Sequence, residues 1–334
     1  MRINRRSLLR VIRNTVSERT RTNPNLVSIY LGGSVLGSDY ALGGTVDIDL
    51  FFIHAGPVDQ EREIVRLTDE VHLDIAHHDQ KAYRHPKELR LHPWMGHTIK
   101  DGEIFYDPGH FMDFTQASVR GQFARPDNVL TRVRKQAKAA RDIWFGYEMS
   151  QPEAGPKEVA DYLRALWNAG NAIACLTGSP LTERRYLLQY PLRADAVGRS
   201  GLYAGFMGLL GAQNVDQGGI KDWLTSWENT YNALPQGQAP ARLHPDRKCY
   251  YLRAFEEMLG KDQPGTVLWP LLNTWTTMAN ILSENSAAQD NWQQVFEQVG
   301  LLGDGFGERI EALDAYLDQV EETLDDWARR QGAL

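Results

Sequence analysis

The segment TVDIDLFFI, residues 45–53, decides the fold of the first part of this chain. It is a short run of β-branched, aliphatic and aromatic residues, which predicts a buried β-strand. Asp47 and Asp49 interrupt the apolar run. Residues i and i+2 of a strand point to the same face with Cα atoms about 6.5–7 Å apart, so we expect the two carboxylates side by side.

Two interpretations of this acidic pair are open. Ionised carboxylates on a buried strand repel each other and lose hydration, which is unfavourable unless a cation binds them. Mg²⁺ suits such a site, because it takes oxygen ligands and keeps waters and substrate phosphates in its shell. The alternative is an edge strand whose polar face meets water. The apolar residues Leu50 to Ile53 make the edge strand the less favoured interpretation.

Two further strands are predicted around this segment, at residues 26–31 and 71–77. In the second of them, Asp74 alternates with apolar residues and therefore points to the polar face. If this strand lies beside residues 45–53, Asp74 becomes a third carboxylate of the same site. Three carboxylates can bind two metal ions about 4 Å apart, which activates an attacking oxygen and stabilises the leaving one.

Gly33 and Ser34 follow the predicted strand 26–31 directly. A glycine-rich turn before a short helix lets backbone N–H groups approach a phosphate, and Ser34 can cap the helix or contact a phosphate oxygen. The same tripeptide, Gly32-Gly33-Ser34, is also common in ordinary turns. Taken alone, the motif favours the ordinary turn.

The remaining patterns predict an α+β fold with a small mixed-sheet domain at residues 1–120 and an all-helical domain at 126–334. In the first domain we predict helices at 5–20 and 61–69 and a hairpin at 96–107 around Asp101-Gly102. In the second domain, long helical patterns are separated by glycine and proline. They lie at 128–147, 157–176, 220–232, 246–259, 266–284, 290–299 and 307–330.

Composition limits the class of protein. The chain has 334 residues and a formal net charge of -7, which argues against a protein that mainly grips a phosphate backbone. The amino end is locally basic, and we favour the polar face of an amphipathic helix over a nucleic-acid contact there. Cys175 and Cys249 are expected to be buried free thiols. With no long apolar run and no signal-peptide pattern, we expect a cytoplasmic protein that does not interact with membranes.

The order of these motifs resembles the DNA polymerase beta-like nucleotidyltransferase superfamily. Gly33-Ser34, a spacer of twelve residues, Asp47-Ile48-Asp49 and a later strand aspartate, Asp74, occur in the family's order. Within the superfamily, a small mixed domain before a helical domain looks most like the aminoglycoside and minimal nucleotidyltransferases. The resemblance covers about the first third of the chain.

The resemblance implies the following roles. Gly33 and Ser34 hold the β- and γ-phosphates of ATP or another nucleoside triphosphate, and Asp47, Asp49 and Asp74 ligate two Mg²⁺ ions. Asp74 also helps to remove the proton from an acceptor hydroxyl, which attacks the α-phosphorus and expels pyrophosphate.

Several residues of the helical domain are weaker candidates. Lys135 and Lys138 are candidates for contact with the triphosphate, and Lys138 is the one we select, although an exposed helix face is the favoured interpretation of either lysine. Glu148 or Glu158 is an alternative general base to Asp74, with a solvated or helix-start acid as the simpler interpretation. The histidines have no zinc-ligand spacing, and the tryptophans of the helical segments are expected to pack in the core.

These observations predict transfer of a nucleoside monophosphate, AMP from ATP by preference, to a hydroxyl of a small molecule such as an aminoglycoside. An acidic protein would attract such a cationic acceptor. Two alternatives stay open: transfer to a macromolecule such as a tRNA or a protein, as in toxin–antitoxin relatives, and a non-catalytic nucleotide-binding module. Nucleic acid is therefore a less favoured partner, and the sequence leaves a homodimer open.

Overall fold

A computed structural model describes residues 3–215, 217–235, 237–260, 264–283 and 286–333. The chain divides into two compact units. The first consists of Met1–Asn128 together with His244–Ala254, and the second of Val129–Leu243 with Phe255–Leu334. The segment 244–254 thus belongs to the first unit, although its sequence lies within the helical part of the chain.

The first unit is built on a five-stranded mixed sheet with four helices. Its helices are α1 (Arg5–Thr22), α2 (Pro86–Arg90), α3 (Met95–Asp101) and α4 (Phe111–Arg120). Its strands are β1 (Leu26–Leu31), β2 (Val46–His54), β3 (Arg62–Arg66), β4 (Val71–Asp79) and β5 (Glu103–Tyr106). The strand predictions for residues 26–31, 45–53 and 71–77 are confirmed to within two residues at each end.

The sheet has the strand order β3-β4-β2-β1-β5. Strands β2 and β4 are parallel, with Asp49 directly opposite Asp74, and the other neighbours are antiparallel. β2 therefore has a neighbour on each side and is not an edge strand. The edge-strand interpretation of the Asp47/Asp49 pair is wrong, because both carboxylates project from the middle of the sheet.

Both faces of the sheet are covered by apolar side chains. On one face, Leu8, Ile12 and Val16 of α1 pack against alternate residues of the strands, including Ile48 and Leu50. This burial stabilises α1 as the amphipathic helix that its sequence predicts. On the other face, residues of α2, α3 and α4 pack around the ends of β1 and β2. Asp47 and Asp49 alternate with Ile48 and Leu50, so they lie on this second face.

Two predictions in the first unit are wrong. Residues 61–69, predicted as a helix, contain strand β3, whose residues Arg62–Arg66 pair with β4. Residues 96–107, predicted as a hairpin, form helix α3 and then β5. In that segment Gly102 ends the helix, and an added Cβ there would lie 2.8 Å from the Tyr30 ring. The glycine therefore permits a tight passage from helix to strand rather than a hairpin turn.

The second unit is helical. Its helices are α5 (Pro126–Ser150), α6 (Pro156–Ala174), α7 (Tyr186–Ala196), α8 (Gly201–Leu209), α9 (Gln217–Asn232), α10 (Lys248–Gly260), α11 (Leu268–Ala279), α12 (Ala287–Gln298) and α13 (Gly305–Gln331). The first residues of α5 and of α10 belong to the first unit. The α+β class with a mixed sheet and a helical region is confirmed.

Tryptophan side chains form much of the core of the second unit. Trp227, Trp269, Trp275 and Trp292 are fully buried. Two indole N–H groups bond across from one helix to another: Trp227 of α9 donates to Thr274 of α11 (2.9 Å), and Trp275 of α11 donates to Thr230 of α9 (3.0 Å). The packing role predicted for the tryptophans of the helical segments is confirmed for Trp227, Trp269 and Trp275.

The two cysteines are both free thiols, but only Cys175 is buried. Cys249 is exposed, so the prediction that both are buried is wrong for it. Its position near the start of α10 places it in the segment that belongs to the first unit. Over the described residues, no helix combines the length and apolarity that crossing a bilayer requires.

Candidate active site

Three carboxylates lie together on one face of the sheet. Asp47 and Asp49 are two residues apart on β2, and Asp74 is the direct neighbour of Asp49 on parallel β4. Because residues opposite each other in neighbouring strands point to the same face, all three side chains share it. The structure thus brings together the acids that the sequence singles out. Asp47 and Asp74 are buried, and Asp49 is partly exposed.

The electrostatic surroundings of Asp49 are unusual for an aspartate. Burial of its carboxyl, together with the neighbouring charges of Asp74 and Asp47, raises its pKa from 3.8 to about 7. The positive charges of Arg247 and Arg62 act in the opposite direction but do not outweigh them. Close to neutral pH, Asp49 therefore exists as a mixture of the acid and the carboxylate.

Arg62 pairs with the third acid. Its Nε and Nη2 atoms donate to the two carboxylate oxygens of Asp74 at 2.6 and 2.7 Å, a bidentate geometry. Arg62 lies on edge strand β3, and 48% of its side chain is exposed. Hydrogen bonding to Asp74 raises the pKa of Arg62, so the guanidinium stays charged.

Arg247 lies between two of the acids. One guanidinium nitrogen, Nη2, donates to Asp47 Oδ2 and is also 3.1 Å from Asp74 Oδ2. Only 7% of the arginine side chain is exposed, and its guanidinium lies 5.1 Å from the centre of the Tyr250 ring. Asp47 and Arg247 are 200 residues apart in sequence. The buried site therefore includes a cation supplied by a distant part of the chain.

The segment that supplies Arg247 is anchored to the sheet region at several points. Gly43, with a φ of 62°, lies so close that an added Cβ would be 2.2 Å from the carbonyl oxygen of Arg253. The Arg253 guanidinium is 3.3 Å from Glu70, and Arg66 is 3.9 Å from Asp246. These contacts explain why residues 244–254 belong to the first unit.

His72 is the neighbour of Asp47 across the β2–β4 pair. It is fully buried, its Nδ1 lies 3.8 Å from Asp47 Oδ1, and its ring meets Tyr250 edge-on. Burial lowers the pKa of His72, while the charge of Asp47 opposes the shift. The imidazole is therefore neutral at neutral pH and adds no positive charge to the site.

Gly33 lies against Asp49, and Ser34 follows it in the chain. Gly33 has a φ of 69°, and a Cβ at this position would lie 1.8 Å from Asp49 Oδ2. No other residue type fits there without displacing the carboxylate. Ser34 begins a three-residue 3-10 turn rather than a helix, and its hydroxyl donates to the Tyr40 carbonyl at 3.3 Å. The predicted helix cap is wrong, because Gly33 rather than Ser34 precedes the turn.

The carboxylates differ in how well they fit a divalent cation. Asp47 Oδ1 is buried with no hydrogen-bond partner in the described part of the chain, and no described side chain donates to the Asp49 carboxylate. Both oxygens of Asp74, by contrast, are paired with arginines. Over the same residues, no three His, Cys, Asp or Glu side chains are arranged to hold a metal ion. The surroundings of Asp47 and Asp49 suit ligands of a cation. Asp74 could be a ligand only if Arg62 and Arg247 no longer paired with it.

The candidates from the helical region lie in the second unit. The Lys138 ammonium pairs with Asp142 on its own helix, at 2.7 and 2.6 Å, and 74% of its side chain is exposed. Glu158 accepts a hydrogen bond from the Gly155 N–H at 3.2 Å, which is the role of a helix-start acid. Glu148 lies at the end of α5 beside a cavity of 690 Å³. The environments of Lys138 and Glu158 explain these two residues without catalysis.

Sequence reasoning missed both arginines of the site. Arg62 lies in the segment that was predicted as a helix, and residues 62–66 lack the alternation of polar and apolar residues that would have identified a strand beside Asp74. Nothing in the sequence around Arg247 distinguishes it from the other arginines of helical segments. Only the fold reveals that it approaches the carboxylates.

Comparison with known proteins adds little to this geometry. No family model matches the chain, and no curated protein matches it. Among solved structures it is similar to the crystal structure of a nucleotidyltransferase-like protein from Exiguobacterium sibiricum 255-15. The two share 10% sequence identity over 96% of this chain and 90% of that one, with a TM-score of 0.28. So low a TM-score supports no conclusion about the activity of this chain.

Proposed function

We propose that the protein is a Mg²⁺-dependent nucleotidyltransferase that moves a nucleoside monophosphate from a nucleoside triphosphate, ATP by preference, to an acceptor hydroxyl. The observation that supports this most strongly is the convergence of Asp47, Asp49 and Asp74 on one sheet face beside the Gly33 turn. Such a concentration of buried acids is unfavourable unless cations offset it, since like charges repel and burial removes their hydration.

In this proposal, each residue has a distinct part. Asp47 and Asp49 would hold Mg²⁺, and Asp74 would complete the ligand set when its arginines have moved. Bound Mg²⁺ would neutralise phosphate charge and polarise the α-phosphate. The backbone at Gly33 and Ser34 would contact the β- and γ-phosphates. An oxygen of Asp74 would accept the proton of the acceptor hydroxyl, whose oxygen then bonds to the α-phosphorus as the bond to pyrophosphate breaks.

A small cationic molecule such as an aminoglycoside is the acceptor that we propose first. The formal net charge of -7 favours the approach of a cation and disfavours a polyanionic acceptor such as tRNA. A panel of aminoglycosides, incubated with labelled ATP and Mg²⁺, should include at least one that gains labelled AMP. Absence of labelled product from the whole panel would refute the antibiotic acceptor without refuting nucleotidyl transfer.

A non-catalytic nucleotide-binding module is the second candidate. The observation in its favour is the pairing of Arg247 and Arg62 with two of the three acids, which gives those acids counter-charges without any metal. In this candidate the carboxylates would be structural, and nucleotide binding would not lead to release of pyrophosphate.

Pyrophosphate release from ATP separates the two candidates. We expect release by the wild-type chain that requires Mg²⁺ and falls by at least about a hundredfold in Asp49→Asn, since removing a group that stabilises developing charge typically has such an effect. Asp113→Asn is the matched control, because Asp113 is an exposed acid of the same unit. Equal signals from wild type and Asp49→Asn would favour the non-catalytic module.

A further inference from the structure

The position of Arg247 has a consequence for metal binding. We propose that Arg247 is a removable counter-cation that keeps divalent metal out of the carboxylate site. In the paired state, Arg247 contacts Asp47 and Asp74; in the open state it has left them and a metal ion takes its place. The proposal rests on the proposed function, because it assumes that these carboxylates are metal ligands.

The geometry of the paired state explains why the arginine and a metal ion exclude each other. A single nitrogen, Nη2, approaches Oδ2 of Asp47 and Oδ2 of Asp74, so it bridges two acids from neighbouring strands. A cation shared by these acids would need the same space. The site is also buried, and positive charges in a buried place repel each other with little screening. Arg247 must therefore move before all three acids can act together.

The hydrogen bonding of Arg247 indicates that the paired state is only partly satisfied. Its Nε is buried and has no hydrogen-bond partner among the described residues. A buried guanidinium with an unmade hydrogen bond loses hydration without full compensation. Arg62 differs on both counts, because it uses two donors on one carboxylate and is about half exposed. Departure of Arg247 from the acids would therefore release a buried donor that the paired state leaves unsatisfied, which is not true of Arg62.

Direct metal binding, without nucleotide, tests the proposal. The free Mn²⁺ signal in electron paramagnetic resonance gives the affinity for wild type, Arg247→Gln and Arg247→Lys. Arg253→Gln is the matched control, since it also removes one positive charge from the segment 244–254 but pairs with Glu70 and not with the site. Thermal unfolding of each variant checks that it is folded.

We expect Arg247→Gln to bind Mn²⁺ at least about tenfold more tightly than wild type, because an open state populated at about 10% or less weakens apparent binding by that factor. The Mn²⁺ affinities of Arg247→Lys and Arg253→Gln should stay close to that of wild type. Arg247→Lys keeps the positive charge at the site. Adding Asp49→Asn to Arg247→Gln should abolish the gain. An unchanged affinity in Arg247→Gln, or an equal gain in Arg253→Gln, would overturn the proposal.

The exposed thiol of Cys249 offers a second measurement that does not depend on the folding of Arg247→Gln. Cys249 lies two residues after Arg247 and is exposed. Cys175 is buried, and burial raises the pKa of its thiol to about 12. A thiol-specific spin label should therefore attach to Cys249 alone. Saturating Mg²⁺ should change the label's line shape in the wild-type background and leave it unchanged with Asp49→Asn. An unchanged wild-type spectrum under conditions where Mn²⁺ binding is measured would contradict the displacement of Arg247.

These measurements separate the failure of this proposal from the failure of the proposed function. If Arg247→Gln gains metal affinity but neither it nor wild type releases pyrophosphate, Arg247 controls a metal site in a protein that is not a nucleotidyltransferase. If wild type releases pyrophosphate and Arg247→Gln gains no affinity, the activity stands and the role assigned to Arg247 is wrong.

Discussion

Asp49 lies where two electrostatic influences oppose each other. Burial and the acids Asp47 and Asp74 favour its neutral form, whereas Arg62 and Arg247 favour its charged form. Burial dominates, because the arginines are already paired with the other two acids. The charge of Asp49 consequently depends on pH near neutrality.

The pKa of Asp49 predicts how stability depends on pH. Its carboxyl has an ordinary value of 3.8 in the unfolded chain and about 7 in the folded protein. Between these values the folded state binds more protons, so the free energy of unfolding falls as pH rises from about 4 to 7. Asp49→Asn removes this loss. We expect it to raise Tm by a few degrees at pH 8, and by less at pH 5, in thermal scans with chelator present.

The exposed acid Asp113 provides the comparison for this pH effect. The difference between the Tm changes at pH 8 and pH 5 should be larger for Asp49→Asn than for Asp113→Asn. A gain for Asp49→Asn that is as large at pH 5 as at pH 8, or a loss of stability at pH 8, would contradict the raised pKa.

Gly33 is the position of the site where an added methyl group should destabilise the protein most. Gly33→Ala must adopt a φ of 69° and place its Cβ 1.8 Å from Asp49 Oδ2. We expect a loss of about 2–4 kcal/mol in the free energy of unfolding, from backbone strain together with the steric clash. Urea denaturation measures it.

Gly44 isolates the contribution of strain alone. It has the same φ of 69°, but a Cβ there meets nothing within 4 Å. Gly44→Ala should lower the free energy of unfolding by about 1–2 kcal/mol, because alanine is disfavoured in the left-handed conformation. Asp49→Ala should recover most of the excess cost in a Gly33→Ala background, because it removes the atoms of the clash. If Gly33→Ala costs no more than Gly44→Ala, the close contact with Asp49 does not exist.

At the scale of elements, helices α9 and α11 are joined by two tryptophan–threonine hydrogen bonds of opposite direction. Trp227, Trp275, Thr230 and Thr274 are all fully buried. Each indole N–H has its acceptor on the other helix, so the pair of bonds fixes the axial position of one helix against the other. Apolar packing alone specifies such a register less strictly.

Thr274→Val tests this pairing. Valine keeps the shape of threonine but removes the hydroxyl that accepts from the buried Trp227 N–H, which should destabilise the protein by about 1–3 kcal/mol in urea denaturation. Thr323→Val is the matched control: Thr323 is equally buried, but its hydroxyl donates only to the Gln319 carbonyl of its own helix. Equal losses in the two variants would show that the indole contributes nothing to the effect.

The strands also show which elements sequence patterns can predict and which they cannot. Strands β1, β2 and β4 were predictable because each is an apolar run whose period identifies a buried strand. β3 was not, because its five residues include two arginines and a glutamate and it is partly exposed at the sheet edge. Short edge strands have little burial to impose a pattern, so their composition resembles that of a polar helix.

At the scale of the whole molecule, the acids of the candidate site were predictable and their counter-charges were not. Asp47, Asp49 and Asp74 stand out because charged residues are rare in buried strands. Arg247 does not stand out, because an arginine near the start of a helix is ordinary. Its role depends on residues 244–254 belonging to the first unit, which is a tertiary property without a local sequence pattern.

The first unit is built from two stretches of chain that are separated by 115 residues, 129–243, of the second. During synthesis, the sheet and its three acids can form long before Arg247 has left the ribosome. Until then the nascent sheet lacks the guanidinium that bridges Asp47 and Asp74, and its carboxylates must bind protons, solvent cations or Arg62 alone. The carboxylate site is therefore completed late in biogenesis, when residues 244–254 join the rest of the first unit.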